Sequence, residues 1–171
     1  MNIDEIIMMI NGHTDKDNLK LLIGYSKKVV DGGVIVDIGT CEGRSCIAMA
    51  LNSKPKVKVY TIDPNQNLNF VRHKNELGLQ RKINAFKYPS QELYQEWRHP
   101  IDLLFVDGRH DYTGVKEDVE GWSPLVKSGG FCIFHDYELY RDSVGKAIDE
   151  GEGRHYKKVK IENNIYVGER L

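Results

Sequence analysis

The 171-residue chain is 40% hydrophobic and 29% charged, an ordinary globular composition near the size of one domain. Its 24 basic and 25 acidic side chains leave a net charge of -1, which argues against nucleic-acid or membrane-surface binding driven by bulk charge. No apolar run reaches about 18 residues, the length a transmembrane helix needs, and the opening MNIDEIIMMING carries acids where a secretory signal needs positive charge.

From the N-terminus, apolar residues recur at helical spacing in IDEIIMMI and NLKLLIGYSKKVV, which predicts helices over 3–10 and 16–30, the second stopped by Asp31-Gly32-Gly33. Strands then alternate with helices. The expected strands are 34–39, 57–63, 82–88, 101–108 and 130–136; the expected helices are 43–53, 66–77, 90–97 and 113–126. The strands are short and nearly all apolar, as strands buried on both faces should be, so the alternation predicts a Rossmann-like α/β sheet with helices on both sides. A short helix near 142–150 precedes HYKKVKIE and IYVGERL, which read as a hairpin turning at Asn163-Asn164. No repeat or linker interrupts the chain, so one domain is expected over 1–171, with N-terminal helices at 1–30 and the core at 31–171. Cys41, Cys46 and Cys132 are odd in number and lack CxxC spacing, which suits a reducing, cytoplasmic setting.

The stretch VDIGTCEGRS joins the first core strand to its helix. Gly39 and Gly43 permit close backbone approach and positive φ, and a helix N-terminus presents free N–H groups to an anion. The spacing is not that of the dinucleotide fingerprint, and no P-loop Lys-Ser/Thr pair follows. Asp37, just before the turn, would repel a pyrophosphate but attract an ammonium. Asp63, followed by Pro64 at the end of the second strand, is placed to accept hydrogen bonds from two ribose hydroxyls. An amino-acid group joined to a ribose describes S-adenosylmethionine. Thr40 and Ser45 belong to the same turn and are counted with the cofactor-binding residues.

With VYTIDP, IDLLFVDGRHDYTGVKEDVEGWSPLVKSGGFCIFHDY and the closing hairpin, this stretch resembles the class I S-adenosylmethionine-dependent methyltransferases, over roughly residues 30–170. The likeness is greatest to a small group with D-G-x-H-x-Y followed by K-x-G-G and H-D. It implies a seven-stranded sheet of order 3-2-1-4-5-7-6 with the seventh strand antiparallel. Two positions depart from the family pattern. Cys41 stands where glycine is common, and Tyr88-Pro89-Ser90 lacks the acid that often reads the adenine amine. Ser90 is either an adenine-binding hydroxyl or the N-cap of SQELYQEW.

In that topology Asp107 ends the fourth strand and His135-Asp136 end its neighbour, so the three side chains can converge with His110 on the substrate side. Metal-dependent catechol-type O-methyltransferases are similar here and hold Mg²⁺ at the same strand ends. Asp107, His135 and Asp136 are accordingly expected to hold a divalent cation, Mn²⁺, Fe²⁺ or Zn²⁺ as readily as Mg²⁺ because of the imidazole. Two alternatives stand beside this: His110 or His135 as a metal-free general base, with Asp107 beside it, or a purely structural cap. His13 is read as a surface residue, and Tyr112 as packing over the site mouth. The resulting expectation is methyl transfer to an oxygen of a small hydroxylated molecule, in a chain that could dimerise to complete its acceptor pocket. A non-catalytic cofactor-binding module and a nicotinamide-dependent reductase are the rivals.

Overall fold

The structure is a computed structural model that describes residues 3–65 and 67–171. Two helices lead in, α1 (Ile3–Met9) and α2 (Lys16–Lys28). The second is capped by Asp15, whose Oδ1 accepts from the amides of Asp17 and Asn18. The core follows as β1 (Val34–Ile38), α3 (Arg44–Asn52), β2 (Lys58–Ile62), α4 (Leu68–Glu76), β3 (Ile83–Phe86), β4 (Ile101–Val106), α5 (Tyr112–Trp122) and β5 (Val126–Phe134). It closes with α6 (Lys146–Gly151), β6 (Tyr156–Glu162) and β7 (Ile165–Arg170).

The seven strands form one sheet in the order β3-β2-β1-β4-β5-β7-β6. Strands β1 to β5 pair parallel with their neighbours, and β7 lies antiparallel to both β5 and β6. Successive side chains of a strand point to opposite faces. Ile35 therefore packs with Leu22, Ile47 and Phe105 on the α2/α3 side, whereas Val36 packs with Leu104, Val119 and Trp122 on the α5/α6 side. No helix among the described residues is long and apolar enough to cross a membrane.

Local departures from expectation have physical reasons. Residues 90–97 form two 3₁₀ turns, Ser90–Glu92 and Tyr94–Glu96, in place of one α-helix. A 3₁₀ turn eclipses positions three apart. Tyr94 and Trp97 can then both meet Trp122, with ring centroids 6.4 and 5.3 Å away. Helix α5 stops at Trp122 because Pro124 follows, and a 3₁₀ turn at Ser123–Leu125 leads into β5 four residues ahead of expectation. Residues Arg141–Gly145 form a widened π-helical turn ahead of α6. The expected start of the helix over 66–77 falls on Gln66, outside the described residues; from Asn67, which caps it, the helix is as expected.

Candidate active site

The strand order reverses between β1 and β4, the place where parallel α/β sheets open a crevice beyond the strands' carboxyl ends. A cavity of about 810 Å³ lies there. One half is lined by Gly39, Thr40, Ser45, Asp63, Pro64 and Ser90; the other by Asp107, His110, His135 and Asp136.

The glycine turn is built by its neighbours. Gly39 has φ 97°, and a Cβ placed on it would come within 2.0 Å of the Asp107 carbonyl oxygen. The close approach of β4 to β1 alone demands glycine, independently of any ligand. Cys41 adopts φ 48°, the left-handed conformation that glycine favours, so the turn keeps its shape without that glycine, at the cost of local strain. Asp63 holds the turn in place. Its Oδ2 accepts from the amides of Thr40 at 2.9 Å and Cys41 at 3.2 Å, and its Oδ1 from Asn65.

Two residues expected at the cofactor stand behind the cavity wall. Asp37 is fully buried, and its carboxylate oxygens accept from the hydroxyls of Ser45 (2.8 Å) and Thr61 (2.6 Å). It shares a sheet face with Ile35, so it points at α3 and buttresses the turn; the expected ammonium contact is replaced by two hydroxyls. Burial pushes its pKa up to about 7, against the opposing pull of those hydrogen bonds. Gly43 heads α3 at φ 92°, where a Cβ would meet the Phe70 ring at 2.5 Å, so packing explains this glycine. Ser90 is not an N-cap: Pro89 holds that position, and Ser90 Oγ donates to Asp118.

On the other half, His135 lies with Nδ1 3.2 Å from both Asp107 Oδ1 and Asp136 Oδ1. The ring aims squarely at neither oxygen, so the link is ionic more than hydrogen-bonded. Burial disfavours the charged ring, but the two carboxylates outweigh it and push the pKa up to about 10. His135 thus sits between two acids that both favour its charged form. Asp136 is held below the ordinary carboxylate range: burial raises it, and His135 and His110 more than offset that.

The donor group of the right compactness for a cation is Asp107, His110 and Asp136, whose ligand atoms lie within 4.8 Å of one another. His110 Nε2 is 2.9 Å from Asp136 Oδ2, and its ring stacks on Tyr140 with centroids 4.7 Å apart. His110 takes the place in this cluster that the sequence reading gave to His135.

Several contributors were not legible in the sequence. Asn18 of α2 reaches His135 Nε2 at 3.2 Å through its amide nitrogen, leaving its own Oδ1 buried and unpartnered. A half-turn of the amide presents Oδ1 to the charged Nε2–H and removes the orphan. His13 is exposed, as expected, and borders the cavity with Gly12 and Thr14. Arg44 pins that loop by donating to the carbonyls of Ile10 and Thr14. Tyr112 does not cover the mouth; its hydroxyl binds Glu150. Arg109 forks Asp111 with two 2.8 Å bonds. Asp136 has φ 60°, and Asn164 of the β6–β7 turn sets the loop after it. Asn164 Oδ1 accepts from the amides of Glu138 and Leu139, and its Nδ2 donates to Asp136 Oδ1 at 2.8 Å.

Known proteins resemble this chain in sequence or fold. An uncharacterized protein of Acanthamoeba polyphaga mimivirus is 30% identical over 143 residues, which cover 74% of this chain; the chain spans 64% of that relative's length. A cofactor-bound protein from MTB superposes with a TM-score of 0.81 at 14% identity, covering 98% of this chain and 85% of that one. The O-methyltransferase TomG from Streptomyces achromogenes, involved in tomaymycin synthesis and solved in complex with SAM, superposes at 0.79 with 15% identity, covering 93% and 82%. These likenesses carry the fold. The family described as "Methyltransferase domain" matches residues 36–137, which run from β1 through the glycine turn and the Asp107 loop to just past His135-Asp136. The chain belongs to that methyltransferase-domain family.

Proposed function

We propose that the protein is an S-adenosylmethionine-dependent methyltransferase acting on an oxygen of a small hydroxylated molecule. The carrying observation is one cavity that sets the strand-end acid Asp63 and a tight glycine turn opposite a compact acid–imidazole cluster. The turn Gly39-Thr40-Cys41 and Ser45 receive the amino-acid end of the cofactor. Asp63, whose Oδ2 takes two amides and whose Oδ1 takes the Asn65 amide, retains one acceptor site on Oδ1 for a ribose hydroxyl.

Methyl transfer is an in-line displacement, so the residues act chiefly by placing donor and acceptor. Asp107, His110 and Asp136 would hold a divalent cation, as their mixed oxygen and nitrogen donors and spacing allow. When bound, that ion lowers the pKa of an acceptor hydroxyl. His135 holds the two carboxylates apart and neutralises one of them, Asn18 fixes the ring, and the His110–Tyr140 stack walls the mouth. The net charge of -1 supports a small acceptor over a nucleic acid.

The test is calorimetry with S-adenosylhomocysteine and NAD. The first should bind and NAD should not. Asp63→Ala should weaken S-adenosylhomocysteine about 10- to 100-fold, the loss expected from one or two charge-assisted hydrogen bonds. Unchanged affinity in the folded variant would remove the ribose assignment, and preferential NAD binding would favour the reductase.

A further inference from the structure

The loop after β3 offers no acidic side chain, yet the cavity has one at that end. Asp118 comes from α5, which follows β4, and is only 1% exposed. It occupies the inward face of the helix among Val115, Val119 and Trp122, where an amphipathic pattern calls for an apolar residue. Burial raises its pKa to about 6, more than the Ser90 hydrogen bond and the Arg109 charge lower it. Among the described residues its carboxylate accepts one side-chain hydrogen bond, from Ser90 Oγ at 2.5 Å. The neighbours that could satisfy it are engaged elsewhere. Gln91 donates to Glu117, and Arg109 forks Asp111 and reaches Glu117. A buried carboxylate on a cavity wall with acceptor capacity to spare calls for a donor from the ligand.

We infer that Asp118, oriented by Ser90, reads the exocyclic amine of an adenine ring lodged beside Pro89, Ser90 and Gln91, supplying from α5 the acid that the β3 loop lacks. The inference rests on the cofactor reading above. Asp63 ends β2, and β3 is the next strand outward, so a nucleoside whose ribose sits at Asp63 extends its base toward residues 89–91. A carboxylate there accepts the N–H of an amine. A base with a keto oxygen at the same carbon would set lone pair against lone pair, so the residue determines base specificity.

The experiment compares S-adenosylhomocysteine with S-inosylhomocysteine, in which a keto oxygen replaces the amine, by calorimetry on the full chain. The wild type should prefer the adenosyl ligand by about 10- to 100-fold. In Asp118→Asn the amide Nδ2 can donate to the keto oxygen, so the preference should fall to within about threefold or reverse. A merely structural role would weaken both ligands by the same factor, so an unchanged preference in Asp118→Asn overturns the inference. Should that variant fail to fold, Ser90→Ala provides the second reading. A smaller fall in preference supports the assignment, and an unchanged ratio counts against it. A wild type that binds both ligands equally overturns this inference alone, whereas one that binds neither overturns the cofactor reading with it.

Discussion

Asp37 is the residue whose sequence position was plain and whose role was not. A strand-end acid before a glycine turn reads as a ligand contact, but a period-two count from Ile35 turns it toward α3 and into the core. Its pKa, raised by burial from 3.8 to about 7, fixes the sign of a stability effect. Below about pH 4 both folded and unfolded chains carry the proton, and nothing is lost. Between there and about pH 7 the unfolded chain ionises first, so this group's contribution to stability declines; above that the penalty is constant. A shift of that size corresponds to about 4 kcal/mol. Asp37→Asn keeps an acceptor for Ser45 and can donate to Thr61. Urea unfolding should find it close to wild type at pH 4 and several kcal/mol more stable at pH 8, with ~4 as the upper bound. A gap that does not widen between pH 4 and 7 would refute this account of the buried charge.

Among the elements, the closing hairpin was legible as a hairpin from its asparagine pair, because both residues adopt the positive φ that Asn tolerates. What the Asn164 amide does was not legible, since its partners Asp136, Glu138 and Leu139 lie at least 25 residues earlier. It ties β6–β7 to the loop that carries the acceptor side of the cavity. Asn164→Gly preserves the backbone conformation and removes three side-chain hydrogen bonds, each worth about 1 kcal/mol net. The expected result is a loss of about 1–3 kcal/mol and faster hydrogen exchange at the Glu138 and Leu139 amides. Cofactor affinity should stay within a few-fold, because Asn164 contacts none of the residues proposed to hold the cofactor; an unaltered exchange pattern would show that the tie is idle.

For the whole molecule, strand–helix alternation made the parallel core legible, and resemblance to the methyltransferases supplied the reversed final pair, which the sheet confirms. The site was legible where a residue sits at a strand end, as with Asp63, Asp107 and Asp136. It was hidden where packing brings distant chain together: Asn18 and His13 from the N-terminal segment, and Asp118 from the inner face of α5. The same convergence sets the metal test. Mn²⁺ binding followed by electron paramagnetic resonance should be seen in the wild type and weakened at least about tenfold in Asp136→Asn, which loses a charged ligand. Exhaustive chelation should lower methyl transfer to hydroxylated acceptors, and Mn²⁺ or Mg²⁺ should restore it. Full transfer without metal, together with its loss in His110→Ala, would give His110 the role of general base.

The contact between Gly39 and the Asp107 carbonyl has a consequence for motion. Backbones that leave no room for a methyl group cannot slide past each other, so β1 and β4 form a rigid seam between the Asp63 and Asp136 halves of the cavity. The amides beside the seam are locked as well, Gly39 to Ile62 and Asp107 to Ile38. Passage of ligands in and out then falls to the two rims, the Gly12–Thr14 loop pinned by Arg44 and the 136–140 loop pinned by Asn164. The hydrogen-exchange map that tests Asn164 reads this directly: slow exchange along the seam, faster exchange at both rims. An enzyme so arranged would breathe at its edges while its centre keeps methyl and acceptor at a fixed spacing.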